Sequence, residues 1–227
     1  MEPGRTPGNG MRSKRIEEDR TREIVDACER LYAATGFHAV SLRDIARETS
    51  MSRPSVYNYF RTKEEIFLAL FAREYDRWNA ALARLLARPD ALDAAALSDA
   101  LARTLRGRGI LLRLLSMNLY DMEAGSRVEN LTAFKRSYGD SIRLVRAILA
   151  RFRPGMAPAA REAFLWAFFP FLFGVHPYTA VTPKQRAAMT AAGVDFPTVG
   201  AEALVRSFVR ALLSHPTPRP TERKTTR

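Results

Sequence analysis

Residues 41–66 read SLRDIARETSMSRPSVYNYFRTKEEI, and this stretch decides the fold. Serine is a residue type that caps helix N-termini, so Ser41 predicts a short helix from Leu42 to Glu48. The apolar positions of that helix share one face: Leu42, Ile45 and Ala46. The small side chain of Ala46 allows a second helix to pack closely against this face.

A second short helix is predicted after a turn at residues 49–51. Ser52 is its N-cap, and Pro54 lies in its first turn, where the missing N–H costs nothing. The helix is expected to run to Phe60. Two short helices joined by a tight turn have the outline of a helix-turn-helix, in which the second helix enters the major groove of DNA.

The second helix has two faces with different tasks. Its N-terminal turn would present Arg53 and Ser55 to base edges, while Val56 and Phe60 would point into the core. The phenols beside the exposed face, which can reach phosphates, are Tyr57 and Tyr59. Backbone N–H groups at the start of the next helix, beside Lys63, form a further phosphate site.

On the N-terminal side, a longer helix is expected from about Ser13. Its apolar positions keep steps of three and four: Ile24, Ala27, Cys28, Leu31 and Tyr32. Gly36 ends it as a C-cap. Residues 1–12 contain Pro, Gly and Asn with little to bury, and are expected to be a disordered arm.

On the C-terminal side, every further segment is also helical. Thr62 followed by Glu65 predicts a capping box that opens a long helix ending near Leu86, before Pro89. The remaining helices are predicted over 97–105, 110–119, 131–152, 159–174, a short stretch after Thr182, and 198–213. Pro170 should kink or shorten one of them. No alternating strand pattern is present, so the predicted fold is all-α.

Composition bounds the class of protein. The chain has 227 residues, of which 47% are hydrophobic, and these values predict a globular protein of one or two domains. The single cysteine, Cys28, excludes a disulfide framework. The N-terminus has no secretory signal pattern and the longest apolar run, 164–175, is too short for a bilayer, so a cytoplasmic location without membrane contact is expected.

The net charge of +12 favours an anionic partner, although the basic residues are spread along the chain. A solvated basic surface is the alternative explanation. The Pro-rich basic tail, 215–227, is expected to be disordered.

The run from Ser41 to Ile66, preceded by Thr-Gly-Phe at 35–37, resembles the DNA-binding signature of the TetR family of regulators. The resemblance covers roughly residues 15–70. It implies an N-terminal three-helix helix-turn-helix DNA-binding domain at 13–79, with the motif at 41–60, and a larger helical ligand-binding and dimerisation domain at 80–214. Many relatives have Gly where this chain has Ser50, which suggests either a strained left-handed residue or a differently built turn.

The resemblance also implies which residues contact DNA. Positions that match base-contacting residues of the family are Arg43, Arg53, Pro54 and Ser55. Positions that match backbone contacts or straddle both roles are Ser41, Ser52, Tyr57, Tyr59 and Lys63. The alternatives are that Arg43 and Arg47 are simply solvated and that Tyr57 or Tyr59 belongs to the core.

In the family, the C-terminal region binds an inducer and dimerises through its last two long helices. The helices near 159–174 and 198–213 fit that role as a homodimer interface, and a helix within a monomer core is the alternative for the first. Candidate pocket residues, of types that are more often plain core than ligand contacts, are Asn118, Tyr120, Met122, Phe134, Tyr138, Trp166, Phe169, His176 and Tyr178. Such a lining would suit a lipophilic small-molecule inducer.

The resemblance therefore implies a dimeric repressor that binds a palindromic double-stranded DNA operator and is released by its inducer, with the helix at 62–86 as the lever. An activator, or a helical interaction module that lacks DNA binding, are the alternatives. No cofactor is expected. An enzyme is disfavoured because no nucleophile–base pair, phosphate loop or metal-spaced His cluster is found, and Asp121, Glu123 and His176 lack the spacing of a metal site.

Overall fold

The computed structural model describes residues 8–117, 119–196 and 198–214, and helices are the regular structure of those ranges. In chain order they are α1 (Gly8–Thr35), α2 (Leu42–Arg47), α3 (Arg53–Tyr57), α4 (Lys63–Leu86), α5 (Ala94–Thr104), α6 (Gly109–Leu115), α7 (Leu119–Ala124), α8 (Val128–Phe152), α9 (Pro158–Thr179), α10 (Pro183–Ala191) and α11 (Ala201–Ser214). The prediction of an all-α fold is confirmed.

α1 begins earlier than the sequence suggested. It starts at Gly8, so the part of the expected arm over residues 8–12 is helical, as an extension of the helix that the later apolar stripe anchors. Residues 1–7 and the expected tail at 215–227 lie outside the described residues. α1 ends as predicted at Gly36, whose φ of 86° is one that glycine adopts without strain.

α3 is shorter than predicted and ends at Tyr57, not at Phe60. The amides of Asn58 and Tyr59 bond three residues back, to the carbonyls of Ser55 and Val56, so the chain tightens into a turn before α4 begins. The side chain of Phe60 is nevertheless buried as expected. The recognition segment is therefore one short helix followed by a tight turn.

The chain forms two compact units. Unit 1 contains the described residues of 1–72 and 118–134, and unit 2 contains those of 73–117 and 135–227. The division falls inside α4 and inside α8, so neither long helix belongs to one unit alone. The domain boundaries 13–79 and 80–214 stay a prediction.

Unit 1 has its own apolar core. Ile24, Ile45 and Val56, one from each of the first three helices, are fully buried. The ring of Phe67 on α4 packs edge-on against the rings of Tyr32 and Phe37, with centroids 5.3 Å and 4.7 Å apart. Burial of this kind stabilises each large side chain by about 2–3 kcal/mol, which is what fixes helices too short to form alone.

Unit 2 is built on α5, α6, α9 and α11, where α11 packs against α5 and α9 and α6 packs against α9. Trp78 is fully buried and its indole N–H donates to the Thr104 hydroxyl at 2.9 Å. α11 begins at Ala201, three residues later than the predicted start.

α9 runs through Pro170 and Pro177 to Thr179, so the expectation that Pro170 would end it early is wrong, and the alternative, a kink at Pro170, stays a prediction. The flanking residues Phe168, Phe169 and Leu172 are buried, and their packing outweighs the lost hydrogen bond while Pro170 itself lies exposed. Within the described ranges no single helix has the length and apolarity of a membrane span, and α9 taken together with α10 reaches them only across an 82° bend.

Candidate nucleic-acid interface

The exposed face of α3 carries an ordered arginine. The Arg53 guanidinium donates to the Tyr57 hydroxyl at 3.1 Å and lies 5.6 Å from the centre of that ring. Pro54 is also exposed, whereas Val56 is fully buried on the opposite face. This arrangement presents a planar, bidentate donor to solvent at the start of the helix, which is the geometry that reads guanine in a major groove.

The serines of the motif act as helix caps. Ser41 accepts a hydrogen bond from the Asp44 amide, and the Asp44 carboxylate accepts from the Ser41 amide, both at 3.2 Å. The Ser41 hydroxyl, with smaller contributions from Arg47, lowers the pKa of Asp44. Ser52 accepts from the Ser55 amide at 3.3 Å, so both predicted N-caps are present. A phosphate contact at Ser41 or Ser52 would therefore add to a cap.

Arg43 and Arg47 both lie exposed on α2, and they differ in their partners. The Arg47 guanidinium is 2.5 Å from the Asp44 carboxylate, three residues earlier on the same helix. Arg47 is thus occupied by an intrahelical ion pair. Arg43 remains the α2 arginine proposed for DNA contact.

Lys63 fastens the loop before the motif to the start of α4. Its ammonium lies 3.3 Å from the Phe37 carbonyl, 3.4 Å from the Val40 carbonyl and 4.3 Å from the centre of the Phe37 ring. Two of the three ammonium donors are therefore directed at carbonyls. The predicted phosphate contact rests on the third donor and on the neighbouring amides.

The turn that carries Ser50 is built without a left-handed residue. Among the described residues only glycines have positive φ, so Ser50 is unstrained. Glu23 on α1 accepts from the Ser50 amide at 2.5 Å and from its hydroxyl at 3.1 Å, and Arg20 donates to that hydroxyl at 2.6 Å. These bonds, led by the amide of Ser50, lower the pKa of Glu23. No local sequence pattern indicates this network, since Glu23 and Arg20 lie 27 and 30 residues before Ser50.

Glu65 differs from its predicted role. The Glu65 amide does donate to the Thr62 hydroxyl at 3.2 Å, but the Glu65 carboxylate accepts from the Arg61 amide instead of reaching back to Thr62. Only half of the capping box is present, because the carboxylate also binds Arg127, 62 residues away. The local sequence pattern around Glu65 could not identify Arg127 as its partner.

The predicted ligand-contacting residues fall in both units. In unit 1, Met122 is fully buried and the Phe134 ring lies 4.8 Å from the Phe71 ring, whereas Tyr120 is 82% exposed. Asn118 lies outside the described residues. Among the described residues, no three His, Cys, Asp or Glu side chains are placed to hold one metal ion.

In unit 2, Tyr138 and Phe169 pack edge-on with ring centres 5.7 Å apart. Burial, and to a lesser degree Arg113, lowers the pKa of His176. Trp166 is 68% exposed, and Tyr178 lines an open cavity of about 540 Å³ with α10 and the loop before α11. The structure thus joins Tyr138 and Phe169 of the predicted set, and the pocket stays a prediction.

Comparisons with known proteins agree with this architecture. Residues 24–70 match the family described as bacterial regulatory proteins, tetR family, and residues 72–214 match the tetracyclin repressor-like C-terminal domain. The HTH-type transcriptional repressor Rv1474c of Mycobacterium tuberculosis is 30% identical over 105 residues, which cover 40% of this chain and 56% of that protein.

The HTH-type transcriptional activator FasR of Mycolicibacterium smegmatis is 30% identical over 73 residues, 32% of this chain and 33% of that protein. The chain thus spans about half or less of the length of these relatives. Among solved structures, the transcriptional regulator FadR of Bacillus subtilis in complex with stearoyl-CoA has a TM-score of 0.57 at 17% identity, over 85% of this chain and 97% of that one. That likeness concerns the fold alone.

Proposed function

We propose, since this chain belongs to the tetR family of bacterial regulatory proteins, that it binds a DNA operator through α2 and α3 and regulates transcription in the cytoplasm in response to a small molecule. The observation that carries the proposal is the exposed Arg53–Tyr57 pair on a recognition helix whose opposite face, Val56, is buried. A solvated basic surface alone would not need a guanidinium held in place on one helix turn.

In the proposed interface, each side chain makes one kind of contact with the DNA. Arg53 pairs with a guanine edge, Pro54 packs on a thymine methyl group, and Tyr57 reaches a phosphate. Ser41 and Lys63 place the motif on the backbone through the cap of α2 and the start of α4. Arg43, Ser52, Ser55 and Tyr59 complete the proposed interface.

A homodimer is proposed because α9 and α11 share an apolar surface. The rings of Phe171 and Phe208 stack face to face, 3.8 Å apart, and join the two helices. Trp166 on α9 is left 68% exposed, as an anchor for a second copy. Two copies related by a two-fold axis present two recognition helices, so the proposed operator is palindromic.

The proposed inducer is lipophilic. The interior of unit 2 is rich in aromatic rings, with Tyr75, Trp78, Tyr138 and Phe169 in mutual contact. The bound stearoyl-CoA of the Bacillus subtilis neighbour is a ligand of the same apolar class. The proposed regulator is a repressor whose inducer favours a dimer conformation unsuited to the operator.

Footprinting of the purified full chain on the DNA upstream of its own gene tests DNA binding. A protected palindrome is expected, with an affinity that falls steeply with salt because phosphate contacts release counterions. Binding indifferent to sequence would overturn the proposal and favour an interaction module. A transcription assay on the same DNA then separates repression from activation, and addition of stearoyl-CoA is expected to release the complex if the inducer is an acyl chain.

A further inference from the structure

A buried carboxylate lies at the first turn of α4. Glu65 is 1% exposed and accepts four hydrogen bonds. Its donors are the Arg127 side chain at 2.7 Å and 2.9 Å, the Arg127 amide at 3.1 Å and the Arg61 amide at 2.8 Å. Burial by itself raises the pKa of this group, but these bonds outweigh burial and lower the pKa to about 2. The ion pair is therefore fully formed and geometrically fixed.

Arg127 holds more than Glu65. Its guanidinium also donates to the carbonyl of Tyr59, at 3.1 Å, in the turn that follows α3. Two residues earlier, the Gly125 carbonyl accepts from the Thr62 hydroxyl at 2.9 Å. A Cβ at Gly125 would lie 3.1 Å from the side chain of Glu64, so this turn packs closely on the start of α4. Residues 125–127 are thus attached to both ends of the segment that joins α3 to α4.

That attachment joins two parts of the chain that match different families, residues 24–70 and residues 72–214. Arg127 lies in the region matched by the C-terminal domain family, yet it packs within unit 1 beside the DNA-reading motif. α3 has five residues and cannot hold its own orientation. Its C-terminal end is fixed by the Tyr59 carbonyl contact, which is supplied by Arg127.

We propose that Arg127, paired with Glu65 and bonded to the Tyr59 carbonyl, is a positioning residue of the recognition helix, and that operator recognition depends on it although it does not touch DNA. This rests on the proposed operator binding. The contribution is to specificity, because a helix held at the wrong angle still approaches phosphates but no longer aligns Arg53 with a base edge.

The test compares matched variants of the full chain on the footprinted operator and on unrelated DNA. The double variant Arg127→Met with Glu65→Gln removes the ion pair without leaving an unpaired buried charge. Arg151→Met is the control, because Arg151, at the other end of α8 from Arg127, also donates to a backbone carbonyl, that of Arg88. The double variant is expected to lose operator affinity about tenfold or more and to keep its affinity for unrelated DNA, while the control keeps both.

A double-mutant cycle with Arg53→Ala separates positioning from general loss of fold. If Arg127 acts through α3, its replacement costs much less once Arg53 is gone, whereas a merely structural role leaves the two effects additive. Arg127→Lys keeps the charge but not the guanidinium bonds to both Glu65 oxygens and to the Tyr59 carbonyl, so it should give an intermediate loss of operator affinity. Circular dichroism checks that each variant is folded.

The outcomes distinguish this inference from the function on which it rests. A wild-type protein without a footprint overturns both. A wild-type footprint with equal operator affinity in the double variant, or with additive effects in the cycle, overturns the positioning role alone.

Discussion

The side chain of Arg53 is held by Tyr57 four residues later, and this pair decides what α3 can read. We expect Arg53→Ala to weaken operator binding by about 1–3 kcal/mol, roughly five- to 150-fold, because a bidentate contact to guanine is lost. Titration of labelled operator with each protein measures the change. Arg103→Ala, at an exposed arginine on α5, is the control and should leave the affinity unaltered.

Ser50 provides a second test at the residue scale. Because its φ is not positive, glycine has no conformational advantage there, and the hydroxyl bonds with Glu23 and Arg20 are lost while the amide bond to Glu23 is kept. We expect Ser50→Gly to lower the free energy of unfolding by about 1 kcal/mol, and Ser50→Ala to lower it less, since alanine loses the hydroxyl but keeps the backbone restrained. Urea unfolding measures both, and a more stable glycine variant would contradict the observed turn.

At the scale of elements, the junction of α4 with the start of α8 is expected to make stability depend on pH. The pKa of Glu65 is about 2 in the folded protein against its usual 4.5. The ionised Glu65 carboxylate therefore contributes at most about 3 kcal/mol to the free energy of unfolding. This contribution is complete above pH 4.5 and is lost as the pH falls from 4.5 towards 2, where the carboxylate of the folded protein takes up a proton.

Urea unfolding of wild type and of Glu65→Gln between pH 3 and 7 measures this contribution. The difference between the two proteins should be largest and constant above pH 4.5 and should shrink below it. Parallel curves over the whole range would show that the carboxylate contributes no pH-dependent stability.

Helices α2 and α3 show why elements need their neighbours. Each has six residues or fewer, below the length at which a helix is stable in water. Caps at Ser41 and Ser52 begin them, and the packing of α2 against α1 and α3, with Ile45 and Val56 buried, fixes them. The motif is therefore a product of unit 1 as a whole.

For the whole molecule, the exposed Trp166 on α9 predicts the oligomeric state. We expect Trp166→Glu to weaken the dimer by about 2 kcal/mol or more, roughly thirtyfold in dissociation constant, because a charge replaces an aromatic side chain that the proposed dimer buries. Sedimentation at decreasing protein concentration measures the effect. Met11→Glu, at an equally exposed apolar residue on α1, is the control and should leave association unchanged.

Operator binding should follow dimerisation. Because one recognition helix contacts only a half-site, the Trp166→Glu protein is expected to bind the full operator weakly at concentrations where it is monomeric. Affinity that is unchanged in a protein shown to be monomeric would contradict the palindromic arrangement.

The sequence by itself determined the all-α fold, the N-caps of α2 and α3 and the inward-facing residues of the recognition segment, because these depend on side chains three or four residues apart. Ser41 and Ser52 cap as expected, and Val56 and Phe60 are buried. Only the tertiary structure decided that Glu23 builds the turn at Ser50 and that Arg127 binds Glu65. These partners lie 27 and 62 residues apart, and chain folding, which no local periodicity records, brings them together.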